Sequence, residues 1–382
     1  MTKTQHPPKE TLYFNGETYY AALIADILSA KKSVDMEAYL FAHDEVGLHV
    51  ADALITAAKA GVKIRILIDA AGSPYWTTSF ATMLEKEGIL TKVFHPFPWQ
   101  LWNWSRSVVK WPALLKWIYF ILKANSRNHR KVCIIDEEKA YVGSFNISKC
   151  HISTDAGGGG WRDTAISLSQ CDLSPLIQAF ESVWSRVSIK ERLYNTFRQV
   201  LRDPQIRLNH TRHRRRILYK HLLKKIRNCR TRIWITNAYF VPDNFLLKRL
   251  KEAAHSGVDV RILLPKKSDL MMMPWATCTF YYHLLKAGVR IFEYSPSILH
   301  AKSIILDQWA CVGSSNLNHR SLLHDLEADI RISAVETTHI LSEQFGEDLK
   351  SAHELSLKHW RNHRPWRQRC LGRLVLYLKY WI

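Results

Sequence analysis

Short apolar stretches rich in Val and Ile alternate with longer segments of helical periodicity along most of the chain. Residues 62–68 and 258–264 show such stretches, and each follows a predicted helix that ends at a glycine. Apolar strands separated by helices are typical of an α/β fold in which the strands are buried between helical layers. We therefore predict an α/β protein.

The same order of elements occurs twice. Residues 60–68 match 256–264, and the pairs 37–41 with 237–240 and 84–88 with 284–288 continue the match. A repeat of this length indicates two duplicated domains rather than a solenoid. We predict a first domain over 1–200, a second over 205–350 and a tail over 351–382.

Each half contains the motif H-x-K-x-x-x-x-D, at residues 129–136 and 300–307. A turn of sequence Gly-Ser-x-Asn follows each copy, at 143–146 and 313–316. One copy would be weak evidence, because a His/Lys pair on a strand is more often an ordinary half-buried pair. Two copies with the same following turn favour a single active site assembled from both halves.

The spacing suggests what that site could bind. Side chains two apart on a strand share a face, so each motif presents its His and Lys together. Six groups would then meet around one point: His129, His300, Lys131, Lys302, Asn146 and Asn316. This set suits a phosphodiester, because Lys and Asn can hold the phosphate oxygens while one His attacks phosphorus and the other protonates the leaving oxygen. No metal or cofactor is required, and neither motif has the His or Cys spacing of a zinc site nearby.

The two motifs resemble the signature of the phospholipase D superfamily, over nearly the whole chain. The resemblance implies two α/β/α domains in a pseudo-twofold pair, and transfer of a phosphatidyl or phosphoryl group through a phosphohistidine without a metal. His129 is then expected to be the nucleophile and His300 the general acid and base. Asp163 and Glu327 match the acidic residues that orient the two imidazoles in this family.

Six residues form the catalytic set that this resemblance implies: His129, Lys131, Asp136, His300, Lys302 and Asp307. Asp136 and Asp307 are expected to be structural members of the motif. Residues 37–47, 127–131, 161–164 and 237–243 resemble bacterial cardiolipin synthases more specifically. The Arg-Pro-Trp tail and the lack of N-terminal transmembrane helices resemble the shorter, B-type branch of that family.

The first half carries an insertion at about residues 95–125 just before its motif. Five tryptophans fall in it: Trp99, Trp102, Trp104, Trp111 and Trp117. Trp and Tyr mixed with Lys, Leu and Ile are typical of a segment that lies in the membrane interface. An ordinary buried helix is the alternative.

The tail repeats this composition, with Trp366 and Trp381 among Arg, Leu and Tyr residues. The pattern predicts an in-plane amphipathic anchor, or alternatively a C-terminal helix docked on the second domain. The formal net charge of +20 favours a polyanionic partner, which could be anionic phospholipid or nucleic acid. No apolar stretch reaches transmembrane length. The seven cysteines show no paired pattern, which suits a reducing compartment.

Together these features predict a phosphatidyltransferase of the cardiolipin synthase type, attached peripherally to the cytoplasmic side of a bacterial membrane. Its expected partners are an anionic membrane surface and phospholipid substrates, namely phosphatidylglycerol, with phosphatidylethanolamine as a further candidate. A phospholipase D-type hydrolase is the alternative, and a nuclease is a weaker one because a soluble nuclease has no need of the two Trp-rich segments. A membrane-binding protein with a degenerate site is disfavoured because both motifs are complete.

Overall fold

A computed structural model describes residues 8–108, 116–118, 126–185 and 203–378. Within these residues, each half of the chain builds one mixed β-sheet. The first sheet contains β1 (Lys9–Tyr13), β2 (Ser33–Ala38), β3 (Lys63–Asp69), β4 (Leu90–Phe94), β5 (Val132–Ile135), β6 (Lys139–Gly143) and β7 (Ala165–Ser169). The second contains β8 (Ile206–Leu208), β9 (Arg232–Thr236), β10 (Asp259–Pro265), β11 (Arg290–Tyr294), β12 (Ser303–Leu306), β13 (Trp309–Gly313), β14 (Ala328–Arg331) and β15 (Ala352–Leu355).

Helices connect these strands. In the first half they are α1 (Gly16–Ser29), α2 (Glu45–Lys59), α3 (Thr82–Lys86) and α4 (Ser174–Trp184), with a π-helical turn at Thr77–Ala81 and 3-10 helices at Leu101–Arg106, Lys149–His151 and Thr154–Ala156. In the second half they are α5 (Arg212–Asn228), α6 (Asn244–His255), α7 (Met273–Cys278), α8 (Tyr281–Lys286), α9 (His319–Leu323), α10 (Val335–Lys350), α11 (Trp360–His363) and α12 (Trp366–Val375), followed by a 3-10 helix at Leu376–Leu378. None of the described helices is long and apolar enough to cross a bilayer.

The two sheets have equivalent strand orders around the motif strands. The first runs β1-β7-β6-β5-β2-β3-β4, and the second runs β15-β11-β10-β9-β12-β13-β14-β8. The motif strand β5 lies between β6 and β2, and its counterpart β12 lies between β13 and β9, antiparallel to both neighbours in each case. The predicted α/β duplication is therefore confirmed.

Alternating side chains of the motif strands serve two different cores. Cys133 and Ile135 pack in the cluster that includes residues of α1 and α2, whereas Ile134 belongs to a cluster shared with Ile305 of the second sheet. Leu306 faces the helices of the second half. Because the period of a strand is two residues, this alternation packs one face of each sheet on helices and the other on the partner sheet.

The second sheet extends past the predicted domain boundary at residue 350. Its edge strand β15 pairs antiparallel with β11, so the sequence from 352 to 355 belongs to the second domain rather than to the tail. The repeat at 37–47 and 237–243 also has a local cause. Asp44 and Asp243 cap the following helices, each accepting a hydrogen bond from the backbone amide three residues later.

Candidate active site

Backbone bridges carry the segment before each motif histidine across to the other half of the chain. Leu326 N donates to Arg127 O (2.8 Å), and His129 N donates to Leu326 O (3.0 Å). In the equivalent place, His300 N donates to Arg162 O (2.8 Å). Each motif histidine therefore lies beside the residue that comes directly after its bridging partner.

Those neighbouring residues are the two predicted carboxylates, and the pairing is crossed. His129 Nδ1 lies 3.1 Å from both carboxylate oxygens of Glu327, and His300 Nδ1 lies 2.8 Å from Asp163 Oδ1. In both rings Nδ1 faces the carboxylate, which leaves Nε2 for chemistry. The sequence predicted both acids, and the structure adds that each holds the histidine of the opposite half.

Glu327 is buried against a hydroxyl of the Gly-Ser-Ser-Asn turn. Ser314 Oγ donates to Glu327 Oε2 at 2.5 Å. Burial raises the pKa of Glu327 to about 7, even against the lowering charge of Lys131. Burial, followed by the charges of Lys131 and Lys302, holds the pKa of His129 well below its ordinary value. His129 is therefore a neutral imidazole at pH 7 with a lone pair on Nε2.

A third imidazole, which the sequence did not predict, contacts the second carboxylate of the site, that of Asp163. His151 is buried, its Nδ1 lies 2.8 Å from Asp163 Oδ2, and its Nε2 accepts from the backbone N–H of Asn146 at 3.1 Å. Burial raises the pKa of Asp163, but the charges of His300 and His151 outweigh it and hold the pKa well below its ordinary value. The equivalent position in the second half is Ser321. The only sequence signal for His151 was therefore this difference between the two repeats.

The two motif lysines are buried beside the histidines. Lys131 Nζ donates to His129 O at 2.9 Å, and Lys302 Nζ donates to His300 O. Burial and the charge of Lys302 lower the pKa of Lys131 to about 7. Burial also lowers the pKa of Lys302 to about 8, against the raising charge of Asp163. An anion bound between them would favour the charged form of both.

Two tyrosines flank the histidines and were also missed. The Tyr39 ring lies edge-on to His129 with 5.1 Å between ring centroids, and Tyr239 lies edge-on to His300 at 6.1 Å. Each tyrosine follows an Ala in the repeated segments at 37–41 and 237–240. The repeat therefore contained the signal, because it preserves the ring in both halves.

Both predicted phosphate-binding carboxamides are buried. Asn316 Oδ1 accepts from Tyr239 N at 3.2 Å, which leaves its amino group as a donor. The carboxamide oxygen of Asn146 has no hydrogen-bond partner among the described residues. The backbone N–H of Asn146 contacts His151, whose ring centroid lies 6.3 Å from that of His300. The carboxamide of Asn316 contacts the backbone of Tyr239, whose ring lies beside the same histidine.

The glycine that starts each turn is required by close packing. A Cβ on Gly143 would lie 2.4 Å from that of Ala165, and one on Gly313 would lie 2.2 Å from Asp329 Oδ1. Any side chain there would push the turn away from the neighbouring strand, which is β7 in the first half and β14 in the second. These strands begin just after Asp163 and Glu327. The glycines therefore let the Ser and Asn of the turn approach the site.

Asp136 and Asp307, which were expected to be structural members of the motif, lie outside this cluster. Asp307 accepts from the backbone amides of Arg230, Thr231 and Arg232, at 3.0, 2.9 and 3.0 Å. Asp136 accepts in the same way from residues 31–33. Both take a left-handed backbone with φ of 53° and 51°, which Asp tolerates better than most residues. They fix the turn after the motif strand, in agreement with the expected structural role.

The insertion presents some of its tryptophans and buries another. Trp99, Trp102 and Trp117 are exposed, whereas Trp104 is buried and its indole Nε1 donates to Phe97 O at 2.9 Å. Trp104 therefore supports the insertion from inside and is removed from the membrane-contact set. Trp111 lies outside the described residues.

In the tail, Trp366 is exposed, and Trp381 lies outside the described residues. The tail is docked, as the alternative interpretation allowed. Arg364 is buried and donates to Glu293 Oε1 at 2.7 Å, and α12 packs on α7.

Within the described part of the chain, no group of three or more His, Cys, Asp and Glu residues is arranged to hold a metal ion.

Comparison with known proteins agrees with this geometry. The family model described as "Cardiolipin synthase, PLD-like domain" matches residues 23–156 and 222–349, one match in each half. The chain belongs to this family of the phospholipase D superfamily. Among curated relatives, cardiolipin synthase of Clostridium perfringens strain SM101 is 32% identical over 359 residues, which cover 91% of this chain and 71% of that protein. Cardiolipin synthase of Oceanobacillus iheyensis is 30% identical over 353 residues, with 91% and 70% covered.

A solved structure shares the fold. The crystal structure of phosphatidylserine synthase from Haemophilus influenzae matches with a TM-score of 0.68 and 12% sequence identity, covering 97% of this chain and 93% of that one. At this identity the likeness concerns the fold alone. The prediction of a superfamily enzyme of the cardiolipin synthase type is confirmed by the family match and the relatives.

Proposed function

We propose that the protein joins two phosphatidylglycerol molecules into cardiolipin, releasing glycerol, through a covalent phosphohistidine. The observation that carries the proposal is the crossed pairing of two imidazoles with two carboxylates around two buried lysines. In the first step Nε2 of His129 forms a bond to phosphorus, the bond from phosphorus to the glycerol oxygen breaks, and His300 gives that oxygen its proton. In the second step His300 takes the proton of a second headgroup hydroxyl, whose oxygen bonds to phosphorus as the P–N bond breaks.

The unequal surroundings of the two histidines support this assignment of roles. The side chain of His129 is 12% exposed and that of His300 is 4% exposed, so His129 is the more accessible to substrate. His129 has the strongly lowered pKa that a neutral nucleophile needs. His300 lies closer to its carboxylate, and the low pKa of Asp163 keeps that carboxylate charged. Burial and the charge of Lys302 lower the pKa of His300, and the charge of Asp163 opposes this lowering, which favours a proton on His300.

The lysines and carboxamides would hold the phosphate. Lys131 and Lys302 supply positive charge where the oxygens of the transition state gain negative charge, and their burial strengthens that interaction. Asn146 and Asn316 would add hydrogen bonds to the same oxygens. Phosphatidylethanolamine fits the donor step equally well, because the scissile phosphodiester is the same.

We further propose that the protein works at the cytoplasmic face of a bacterial membrane. Exposed aromatic rings in the insertion and in the tail, Trp99, Trp102, Trp117 and Trp366, suit the interfacial region of a bilayer. The net charge of +20 suits anionic lipid. All seven cysteines lie in the described residues and none forms a disulfide, in keeping with a reducing compartment.

A product assay tests the proposal. Purified protein would be given phosphatidylglycerol in mixed micelles, with and without phosphatidylethanolamine, and mass spectrometry would follow cardiolipin and phosphatidic acid. We expect cardiolipin from the wild type, none from His129→Ala, and normal amounts from His339→Ala, which changes an exposed histidine far along the chain. Phosphatidic acid alone would make the enzyme a hydrolase, and the absence of both products would direct the search to nucleic acid substrates.

A further inference from the structure

The loop at 266–272, between β10 and α7, exposes three consecutive apolar side chains. Leu270, Met271 and Met272 are 50%, 69% and 48% exposed. Scattered apolar residues are normal on a protein surface, but a consecutive run in one loop is not explained by packing of the fold. Such a run marks a surface that meets an apolar partner.

This loop is attached to the wall of the active site. Asp269, the residue just before the apolar run, accepts a hydrogen bond from Tyr239 Oη at 2.5 Å. The Tyr239 ring lies beside His300, and Lys302 Nζ is 5.9 Å from the centre of the same ring. One side chain therefore separates the exposed run from the groups proposed to transfer the phosphatidyl group.

The docked tail lies against the same place. α7 begins at Met273, directly after the exposed run, and Val375 of α12 shares a buried cluster with Met273. Gly372 makes this possible, because a Cβ there would come within 2.0 Å of Trp275 O. On its outer side α12 exposes Leu374, and Tyr377 beyond it is 85% exposed. The tail thus adds apolar and aromatic groups next to the loop.

Arg364, in the tail, links the tail to the loop through a hydrogen bond. Its guanidinium is buried, pairs with Glu293, and donates from Nη2 to Lys266 O at 3.0 Å. Basic side chains also surround the apolar run. Lys266 and Lys267 are exposed at the start of the loop, and Arg367 and Arg373 are exposed on α12. Apolar residues ringed by Lys and Arg are the composition of a surface that binds anionic lipid.

We propose that the 266–272 loop and the outer face of α12 form one membrane-binding surface, on which Leu270, Met271 and Met272 enter an anionic bilayer beside His300. The inference rests on the proposed use of membrane phospholipid as substrate and assigns the place where the second domain contacts it. Lipid headgroups at that depth would lie beside Tyr239, whose ring is also next to Lys302, without leaving the interface. The partner is a bilayer containing phosphatidylglycerol, not a protein.

Vesicle co-sedimentation tests the surface. The full chain would be mixed with vesicles of phosphatidylcholine, with or without phosphatidylglycerol. We expect the triple variant Leu270→Ser, Met271→Ser, Met272→Ser to lower the partition coefficient onto the anionic vesicles roughly tenfold. A charge variant, Lys266→Glu with Lys267→Glu, should reduce binding only to vesicles that contain phosphatidylglycerol. The matched control is Phe245→Ser with Val335→Ser, which removes exposed apolar side chains elsewhere and should bind like the wild type.

Two further measurements separate this inference from the proposed function. Turnover of phosphatidylglycerol dissolved in detergent micelles should stay within about twofold in the triple variant, because the protein no longer has to bind a bilayer to reach its substrate. Sedimentation of the free protein would detect self-association. Wild-type vesicle binding by the triple variant would overturn the inference, as would a change from dimer to monomer, which would assign the surface to a second copy. A wild type that binds vesicles through the loop but makes no cardiolipin would instead refute the proposed function alone.

Discussion

Each motif histidine takes its orientation from a carboxylate of the other half, but the two carboxylates are not equivalent. Asp163 has an imidazole on each oxygen, whereas Glu327 shares its oxygens between His129 and the hydroxyl of Ser314. Asp163 stays ionised, and Glu327 has a pKa of about 7. Two repeats of one sequence therefore place their histidines beside carboxylates of different basicity, as the proposed roles of acid and nucleophile require.

His151 should tune this difference. Replacing it with Ser, the residue at the equivalent position of the second half, removes an imidazole from Asp163 and makes that carboxylate a stronger base. We expect the limb of the pH–kcat profile that reports His300 to move up by roughly one pH unit, with kcat lowered about tenfold or more and KM little changed.

The control for this prediction is Ser321→Ala, which touches the environment of Glu327 instead. It should move the limb that reports His129 and leave the other in place. A His151→Ser variant with reduced stability but an unshifted pH profile would show that His151 only supports the fold.

The two buried lysines predict a pH-dependent affinity for anions. Their pKa values, about 7 for Lys131 and about 8 for Lys302, lie below the ordinary lysine value, so the empty site loses positive charge as the pH rises through this range. The inhibition constant of sulfate, which does not titrate there, should rise roughly tenfold between about pH 6 and about pH 9. Lys131→Arg should weaken this dependence, since Arg stays protonated. A constant that does not change with pH would contradict the account.

At the scale of elements, each motif strand is followed by a tight turn, a second strand and then the Gly-Ser-x-Asn turn. The apolar run predicted β5 and β12, and the Gly-Ser-x-Asn turns follow the next strands, β6 and β13. Gly143 and Gly313 allow the Ser-x-Asn turn to approach the next strand, while Asp136 and Asp307 fix the turn after the motif strand. Each motif therefore has its proposed catalytic His and Lys before the strand and a structural Asp after it.

Asp307→Asn should separate these two ends. An amide presents one acceptor oxygen where the carboxylate presents two, and Asp307 serves three backbone amides and the Thr231 hydroxyl. We expect the free energy of unfolding to fall by about 1–2 kcal/mol, measured by urea denaturation, with kcat of the folded protein within about twofold of the wild type. Loss of activity at unchanged stability would contradict a purely structural role for Asp307.

The sequence predicted helices and strands better than it predicted which of their side chains are buried. The insertion was expected to lie at a membrane interface, and its exposed rings agree with that proposal, but Trp104 is inside because its indole hydrogen-bonds to a neighbouring carbonyl. For the tail, composition allowed an anchor or a docked helix. Docking was decided by Arg364 with Glu293 and by the contact at Gly372, which join segments too distant in sequence for any local pattern to relate.

At the scale of the whole molecule, the site exists because two sheets pack face to face. Ile134 and Ile305 lie in one shared core, and this packing sets the motif strands side by side. The repeated motifs were enough to predict the α/β duplication and to propose six groups for the site. The crossed pairing was not predictable, since it depends on backbone bridges such as that between Asn128 and Leu326, which carry no sequence signature. His151 was not predicted for a related reason, because it reaches the site from a 3-10 helix outside the motif.

Some of the basic side chains that give the molecule its positive charge make hydrogen bonds within the fold. Arg215, in the basic run that begins α5, donates to the backbone carbonyls of Leu323, His324 and Asp325. This arginine therefore supports the segment that leads to Glu327. The excess of positive charge is not entirely available to lipid, and the basic residues beside the exposed apolar groups are the ones that should govern binding.

The most direct test of the account is to trap the covalent intermediate. The enzyme would be mixed with phosphatidylglycerol, quenched in base, where phosphohistidine survives, and its peptides analysed by mass spectrometry. We predict a phosphatidyl group on His129 in the wild type and none on any residue in His129→Ala. Cardiolipin formation without an adduct on either motif histidine would contradict the central claim that a histidine carries the phosphatidyl group.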